Sequence, residues 1–108
     1  MKSYRVIVTD DARADLLQLQ DFALERELAS STPDLDVVDR MLEAVAQALK
    51  LLAFSPYSCR RASRSVNEHQ RELIIPFGHA GFVAAFEIRG DRVLVGAVRH
   101  QLEQDFRH

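Results

Sequence analysis

The apolar residues of this chain change their spacing from one segment to the next. Residues 3–9 are rich in β-branched side chains, and Tyr4, Val6 and Val8 alternate onto one face, which predicts a strand. Helical spacing then takes over from about residue 11 to 29, and Thr9-Asp10-Asp11 supplies an N-cap residue and two acids for the first turn. The predicted stripe of this helix contains Ala12, Leu16, Leu19 and Ala23, with Leu24 and Leu28 beside it.

A second helix is indicated by the clearest periodicity in the chain. Thr32 and Pro33 are typical of an N-cap and a first helical position, and Pro56 cannot continue a helix. Because only a short segment separates the two predicted helices, they are expected to form an antiparallel hairpin. The apolar seam of the second helix contains Leu35, Val38, Leu42, Val45, Leu49 and Leu52.

Three strand-like segments close the chain. After a polar stretch at 58–70, interpreted as a loop with at most a short irregular strand, strands are predicted at residues 71–77, 82–89 and 92–100. Gly90-Asp91 is a two-residue hairpin signal. The last strand is apolar on both faces, which predicts an interior position in the sheet.

The element order is therefore β-α-α-β-β-β, an α+β fold. We expect an N-terminal strand, an antiparallel two-helix hairpin and a three-stranded antiparallel meander packed on the helices, forming one domain over residues 1–108. The chain contains one cysteine, Cys59, so it has no internal disulfide, and its scattered histidines offer no zinc site. No signal peptide or membrane-length apolar segment is present, which favours a cytoplasmic protein.

Charge is distributed unevenly. The net charge is -2 in total. Residues 1–57 hold six Lys/Arg and ten Asp/Glu, whereas residues 58–108 hold eight arginines, no lysine and six Asp/Glu. Arginine suits phosphate and carboxylate partners better than lysine does, and a solvated face is the alternative explanation.

Several segments together resemble the RelE/ParE toxins of bacterial type II toxin–antitoxin pairs, over nearly the whole chain. The resemblance rests on the element order together with these segments: Asp11-Ala12-Arg13-Ala14-Asp15-Leu16, Leu52-Ala53-Phe54-Ser55-Pro56, Arg71-Glu72-Leu73, Pro76-Phe77-Gly78 and Val98-Arg99-His100-Gln101. It implies a cytoplasmic protein without a cofactor, bound tightly by a cognate antitoxin. RelE-like members cleave messenger RNA on the ribosome, whereas ParE-like members poison DNA gyrase.

Metal-free RNA cleavage requires a base, an acid and cations that stabilise the phosphorane. By resemblance to the RelE-like enzymes, Arg71 and Arg99 would be the cations and His100 the acid or base, with Glu72 and His108 as weaker candidates. The C-terminal aromatic that such enzymes carry corresponds to Phe106, which has no hydroxyl, and no lysine lies near the strands. These departures favour the ParE-like function. A RelE-like endoribonuclease and a non-toxic relative remain the alternatives.

Other residues have structural as well as functional interpretations. Arg60, Arg61, Arg64, Phe106 and His108 are candidate contacts to a partner or target, or solvated side chains. Four further expectations concern structure: Arg71 pairs with Glu87 or another acid, Arg99 and His100 form a polar strand end, His69 and His79 are solvated, and Phe82 and Phe86 lie in the core.

Overall fold

A computed structural model describes residues 3–62, 66–78 and 80–101. The element order confirms the predicted α+β fold, and the short strand that the sequence left open within 58–70 is present with two residues. The elements are β1 (Arg5–Val8), α1 (Asp10–Leu28), α2 (Asp36–Leu51), β2 (Arg60–Arg61), β3 (Gln70–Phe77), β4 (Ala80–Arg89) and β5 (Arg92–His100), with a 3₁₀ turn at Pro56–Ser58 before β2.

The five strands form one sheet in the order β1-β5-β4-β3-β2. The first strand pairs in parallel with the last, and every other pairing is antiparallel. This order confirms the interior position predicted for β5. The helices cover one face of the sheet, α1 against β5 and α2 against β3, so the seam of α2 packs on the sheet as well as on α1.

The start of α1 is hydrogen-bonded to β5. The Thr9 hydroxyl accepts a hydrogen bond from the Ala12 amide at 3.2 Å, as an N-cap should. It also donates to the Val95 carbonyl at 2.8 Å. Since Ala12 is fully buried, only a small side chain fits this first turn. These contacts fix the start of α1 against β5.

The predicted start of α2 is wrong by one turn. The helix begins at Asp36, so Thr32 and Pro33 precede it rather than cap it. The Asp34 carboxylate instead accepts hydrogen bonds from the Asp36 amide at 3.1 Å and from Arg40 at 2.9 Å. The Arg40 hydrogen bond lowers the pKa of Asp34. The side chain of Asp34, rather than that of Thr32, therefore accepts a hydrogen bond from the first amide of the helix.

A β-bulge in β5 decides which side chains near its end face the helices. Ala85 pairs with Ala97 and Phe86 with Val95, so Gly96 is an extra residue in the ladder. The alternation of side chains between the two faces of β5 is therefore interrupted at Gly96. The buried face of the strand consequently passes from Val95 to Val98 rather than to Ala97.

The core lies between the helices and this face of the sheet. It includes Phe82 and Phe86, as predicted, and Met41, which lies outside the seam identified from spacing. The seam itself is divided, because Val38, Val45 and Leu52 are buried whereas Leu35 is 53% exposed. The remaining fully or nearly fully buried core residues are Ala12, Ile75, Ala84, Ile88, Val93, Val95 and Val98.

Candidate functional site

Arg71 is engaged by backbone carbonyls. Its Nε donates to Glu68 O at 2.7 Å, and its Nη1 donates to Cys59 O at 3.0 Å and to Tyr57 O at 3.4 Å. The guanidinium also lies 5.3 Å from the centre of the Tyr57 ring, within cation–π range. Arg71 therefore joins the segment before β2 to β3.

The expected ion pair between Arg71 and Glu87 is not formed. Glu87 accepts hydrogen bonds from Arg89 and, at 3.3 Å, from Gln70. The Arg89 hydrogen bond is the main cause that lowers the pKa of Glu87, followed by the Gln70 hydrogen bond.

Arg99 and His100 project from opposite faces of the sheet. Arg99 is the register partner of Val83, and His100 is the partner of Phe82, on the helix-covered face. The His100 ring packs edge-on against Phe82 with 5.8 Å between centres. Successive side chains of a strand alternate between faces, so these two side chains leave β5 in opposite directions, although both residues line the cavity at this edge of the sheet.

The three candidate catalytic residues do not converge. Arg71 pairs with Phe86 and His100 with Phe82, four residues along β4, which separates them by about 13 Å at the rise of a strand. Arg99 lies on the other face.

A groove lies where β5 extends past β1 and runs alongside α1. It has a volume of about 430 Å³. The Asp15 carboxylate lies in this groove and accepts a hydrogen bond from the Val98 amide at 3.0 Å. The sequence offered no signal for Asp15 as a site residue, because its partner is 83 positions away. The lining residues are Asp15, Gln18, Leu19, Phe22, Arg26, Val98, Arg99 and His100.

A second cavity of about 340 Å³ continues the groove between the two helices. It shares Leu19, Phe22, Arg26 and His100 with the first. Phe22 stands at the junction and is 58% exposed. The two cavities together form one surface with an apolar floor, which we call the α1 groove.

The arginines before β3 are used locally. Arg60 Nε lies 3.2 Å from Oε1 of Glu72, whose side chain is 7% exposed, although the geometry is not that of a hydrogen bond. Arg61 donates to Val66 O at 3.1 Å. These contacts favour a structural role for both arginines. The candidates Arg64, Phe106 and His108, and His79 in the turn, lie outside the described residues.

An exposed pair, Tyr57 and His69, was not singled out as a site from the sequence. The Tyr57 hydroxyl lies 2.7 Å from His69 Nδ1, so His69 is hydrogen-bonded rather than simply solvated. Cys59 is nearby in the chain, and burial raises the pKa of its thiol against a smaller opposing effect of Arg71. A raised pKa is the opposite of what a cysteine nucleophile needs.

The described residues contain no group of three or more His, Cys, Asp or Glu side chains placed to hold a metal ion. Neither helix in the described part of the chain has the length and apolar character that a bilayer-spanning segment needs.

The family model for the ParE toxin of type II toxin–antitoxin systems, parDE, matches residues 6–105. The chain belongs to the RelE/ParE family of type II toxins. The match spans every element from β1 to β5, so it agrees with the resemblance found from the residues.

One toxin sequence and two solved structures are similar to this chain. Toxin RelE3 of Caulobacter vibrioides is 28% identical over 93 residues, which covers 86% of this chain and 89% of that protein. Two solved structures share the fold. The chromosomal ParDE system of P. aeruginosa has a TM-score of 0.69 at 16% identity, with 91% of this chain and 96% of that chain covered. The RelBE2 toxin–antitoxin complex of Mycobacterium tuberculosis has a TM-score of 0.59 at 20% identity, with 91% and 98% covered.

Proposed function

We propose that this toxin acts as ParE-like toxins do, by poisoning DNA gyrase in the cytoplasm through protein–protein contact, and that a cognate antitoxin neutralises it. The observation that carries the proposal is the position of Arg71, which is hydrogen-bonded to backbone carbonyls and lies about 13 Å along the sheet from His100. A nuclease without a metal needs its acid, base and cations around one phosphate. Arg71 is held by three carbonyl oxygens, and Arg99 and His100 face opposite sides of the sheet.

The test of the target is a pair of assays on the purified toxin. We expect inhibition of gyrase supercoiling, with no codon-positioned cuts in a translated message. The His100→Ala variant should arrest growth as strongly as the parent, because no proton transfer by His100 is required. Gyrase that stays active at high toxin excess would contradict the proposal.

The alternative is a RelE-like endoribonuclease that uses Arg99 and His100 with Arg71. It is supported by the lining of the α1 groove, which includes both Arg99 and His100, and by the 28% identity to a relative named RelE3. It predicts cuts within translated messages and a loss of toxicity in His100→Ala with the fold intact. The gyrase assay and the message-cleavage assay therefore distinguish the two functions, because each function predicts a positive result in one assay and a negative result in the other.

The α1 groove is the proposed binding site of the antitoxin. Both similar solved structures are of toxin–antitoxin systems. An amphipathic segment needs an apolar groove with large anchoring contacts, and the α1 groove offers an exposed Phe22 beside Leu19. We expect Phe22→Ala to weaken co-purification with the antitoxin at least about tenfold, the loss that roughly 1.4 kcal/mol gives. Leu17→Ala is the control, since Leu17 is 61% exposed on α1 and does not line the groove.

A further inference from the structure

Three arginines lie side by side across three adjacent strands. Arg5 of β1 is the register partner of Arg92 of β5, and Arg92 is the register partner of Arg89 of β4. Directly paired residues have their side chains on the same face of a sheet. Neighbouring strands are about 4.8 Å apart, so the three Cα atoms span only about 10 Å. We call this set the arginine row.

The arginine row projects from the face of the sheet that the helices leave uncovered. The chain neighbours Ile88 and Val93 are buried in the core at 3% and 0% exposure. Alternation along each strand therefore turns Arg89 and Arg92 outward. Arg5 is likewise exposed, next to Val6, which packs against the core.

The charge of the row is only partly compensated. Arg89 pairs with Glu87. Within the described part of the chain, the guanidinium groups of Arg5 and Arg92 form no hydrogen bond or ion pair. Like charges directly opposite each other destabilise a sheet. Residues that destabilise the fold locally without a compensating contact are typically retained for function.

We propose that the arginine row binds the phosphodiester backbone of nucleic acid, without reading its sequence. A guanidinium fork matches the geometry of a phosphate and keeps its charge at any physiological pH. With side chains reaching outward from a span of about 10 Å, the row can contact neighbouring phosphates on one strand, where bases are stacked about 3.4 Å apart along the axis. The whole chain carries a net charge of -2, so attraction must come from this local cluster rather than from the overall field.

Composition around the row favours nucleic acid over an acidic protein segment. A stable protein interface needs large apolar or aromatic anchors at its centre. Among the described residues, every large exposed apolar side chain lies on a helix or in a connecting segment, and none lies on the uncovered face of the sheet. Phosphate-binding surfaces are polar and positively charged, and the three arginines of the row supply such charge here. The exposed large apolar residues are Leu17, Phe22, Leu24, Leu28, Leu35, Leu51, Phe54, Tyr57 and Val66.

This binding goes beyond the proposed function and does not depend on it. The α1 groove lies on the helix side, whereas the arginine row lies on the uncovered face. A protein partner in the groove therefore leaves the row accessible to a polyanion.

The test is fluorescence polarisation of a labelled DNA duplex of about 20 base pairs, titrated with the full-length toxin between about 50 and 200 mM salt. The variant is Arg5→Gln/Arg89→Gln/Arg92→Gln. A matched control, Arg13→Gln/Arg26→Gln/Lys50→Gln, removes the same charge from the helices. We expect the row variant to bind at least about tenfold more weakly and the salt slope to fall by about 2 to 3, while the control changes little.

The double variant Arg5→Gln/Arg92→Gln keeps the pair between Arg89 and Glu87, and it is used if the triple variant does not fold. It should reduce the salt slope by about 2. Equal losses in the row and control variants would overturn the proposal, as would a parent protein that does not bind duplex at about 50 mM salt. Displacement of the duplex by inorganic phosphate at matched ionic strength would also overturn it, because a single phosphate would then be the ligand.

Discussion

The carboxylate of Asp15 on α1 accepts a hydrogen bond from the backbone amide of Val98 on β5 at 3.0 Å. Strand β1 pairs with β5 only from Arg92 to Val95. Beyond that point a side chain of α1 takes the place of a neighbouring strand. The contact both satisfies a partly buried donor and fixes the wall of the α1 groove.

Asp15→Ala should lower the free energy of unfolding by about 1–3 kcal/mol, because the Val98 amide loses its acceptor. Asp15→Asn keeps an oxygen at this position and should cost less. Urea denaturation checks both variants. Asp21→Ala is the control at an exposed position of the same helix and should stay within about 0.5 kcal/mol of the parent. An equal loss in Asp21→Ala would show that helix propensity or charge, not the bond to Val98, is responsible.

Gly81→Ala should be strongly destabilising. A Cβ at this position would overlap the carbonyl oxygen of Ile75, a backbone atom that cannot move without disturbing the pairing of β3 and β4. We expect a loss of about 2–4 kcal/mol or a failure to fold. Thermal unfolding measures it. Gly96→Ala is the matched control, since nothing lies within 4 Å of its added carbon, and a loss of similar size there would refute the steric explanation.

Leu52→Ala and Leu51→Ala test the orientation of the end of α2. Leu52 is fully buried, whereas Leu51 is 60% exposed. Truncation of a buried leucine costs about 2–5 kcal/mol, because a cavity remains, while truncation at the exposed position should cost under about 0.5 kcal/mol. Chemical denaturation of the two variants in parallel distinguishes them. Similar losses would mean that the helix is rotated relative to its described position.

Arg89→Gln should raise the pKa of Glu87 towards its ordinary value of 4.5, which NMR titration of the carboxyl group measures. A depressed pKa in the folded state stabilises the protein above pH 4.5, and this stabilisation is lost as pH falls through the folded pKa. The variant should therefore lose less stability on acidification than the parent. The hydrogen bond from Gln70 also lowers the pKa of Glu87, but less than the bond from Arg89 does. Gln70→Ala should therefore raise that pKa by less than Arg89→Gln. An unchanged pKa in Arg89→Gln would contradict the assigned cause.

The sequence predicts the elements well and the details of orientation poorly. Strand and helix periods identify all the long elements because their apolar residues must face a core. The bulge at Gly96 is hidden, since Ala97 and Val98 are both apolar and either can continue the alternation of Val93 and Val95. The start of α2 is missed because the Asp34 side chain accepts a hydrogen bond from the Asp36 amide, a contact that spacing does not reveal.

The site is harder to predict than the fold for the same physical reason. Whether Arg99 or His100 faces the helices depends on which residues of β5 alternate onto the helix-covered face. The bulge at Gly96 shifts that alternation by one residue. An arginine at position 71 is compatible with phosphate binding. Its guanidinium instead donates to the carbonyl groups of Tyr57, Cys59 and Glu68, which gives it a structural role that the sequence does not reveal. The arginine row requires the pairing of β1 with β5, which joins opposite ends of the chain.

That pairing has a consequence for synthesis on the ribosome. Among the described strands β1 pairs only with β5, and Thr9 and Asp15 form hydrogen bonds with Val95 and Val98. The native sheet therefore cannot form until the last strand has left the exit tunnel. The helices of a nascent toxin are made before the sheet can close, so a cell that makes this protein is exposed to the native toxin only after β5 has been synthesised.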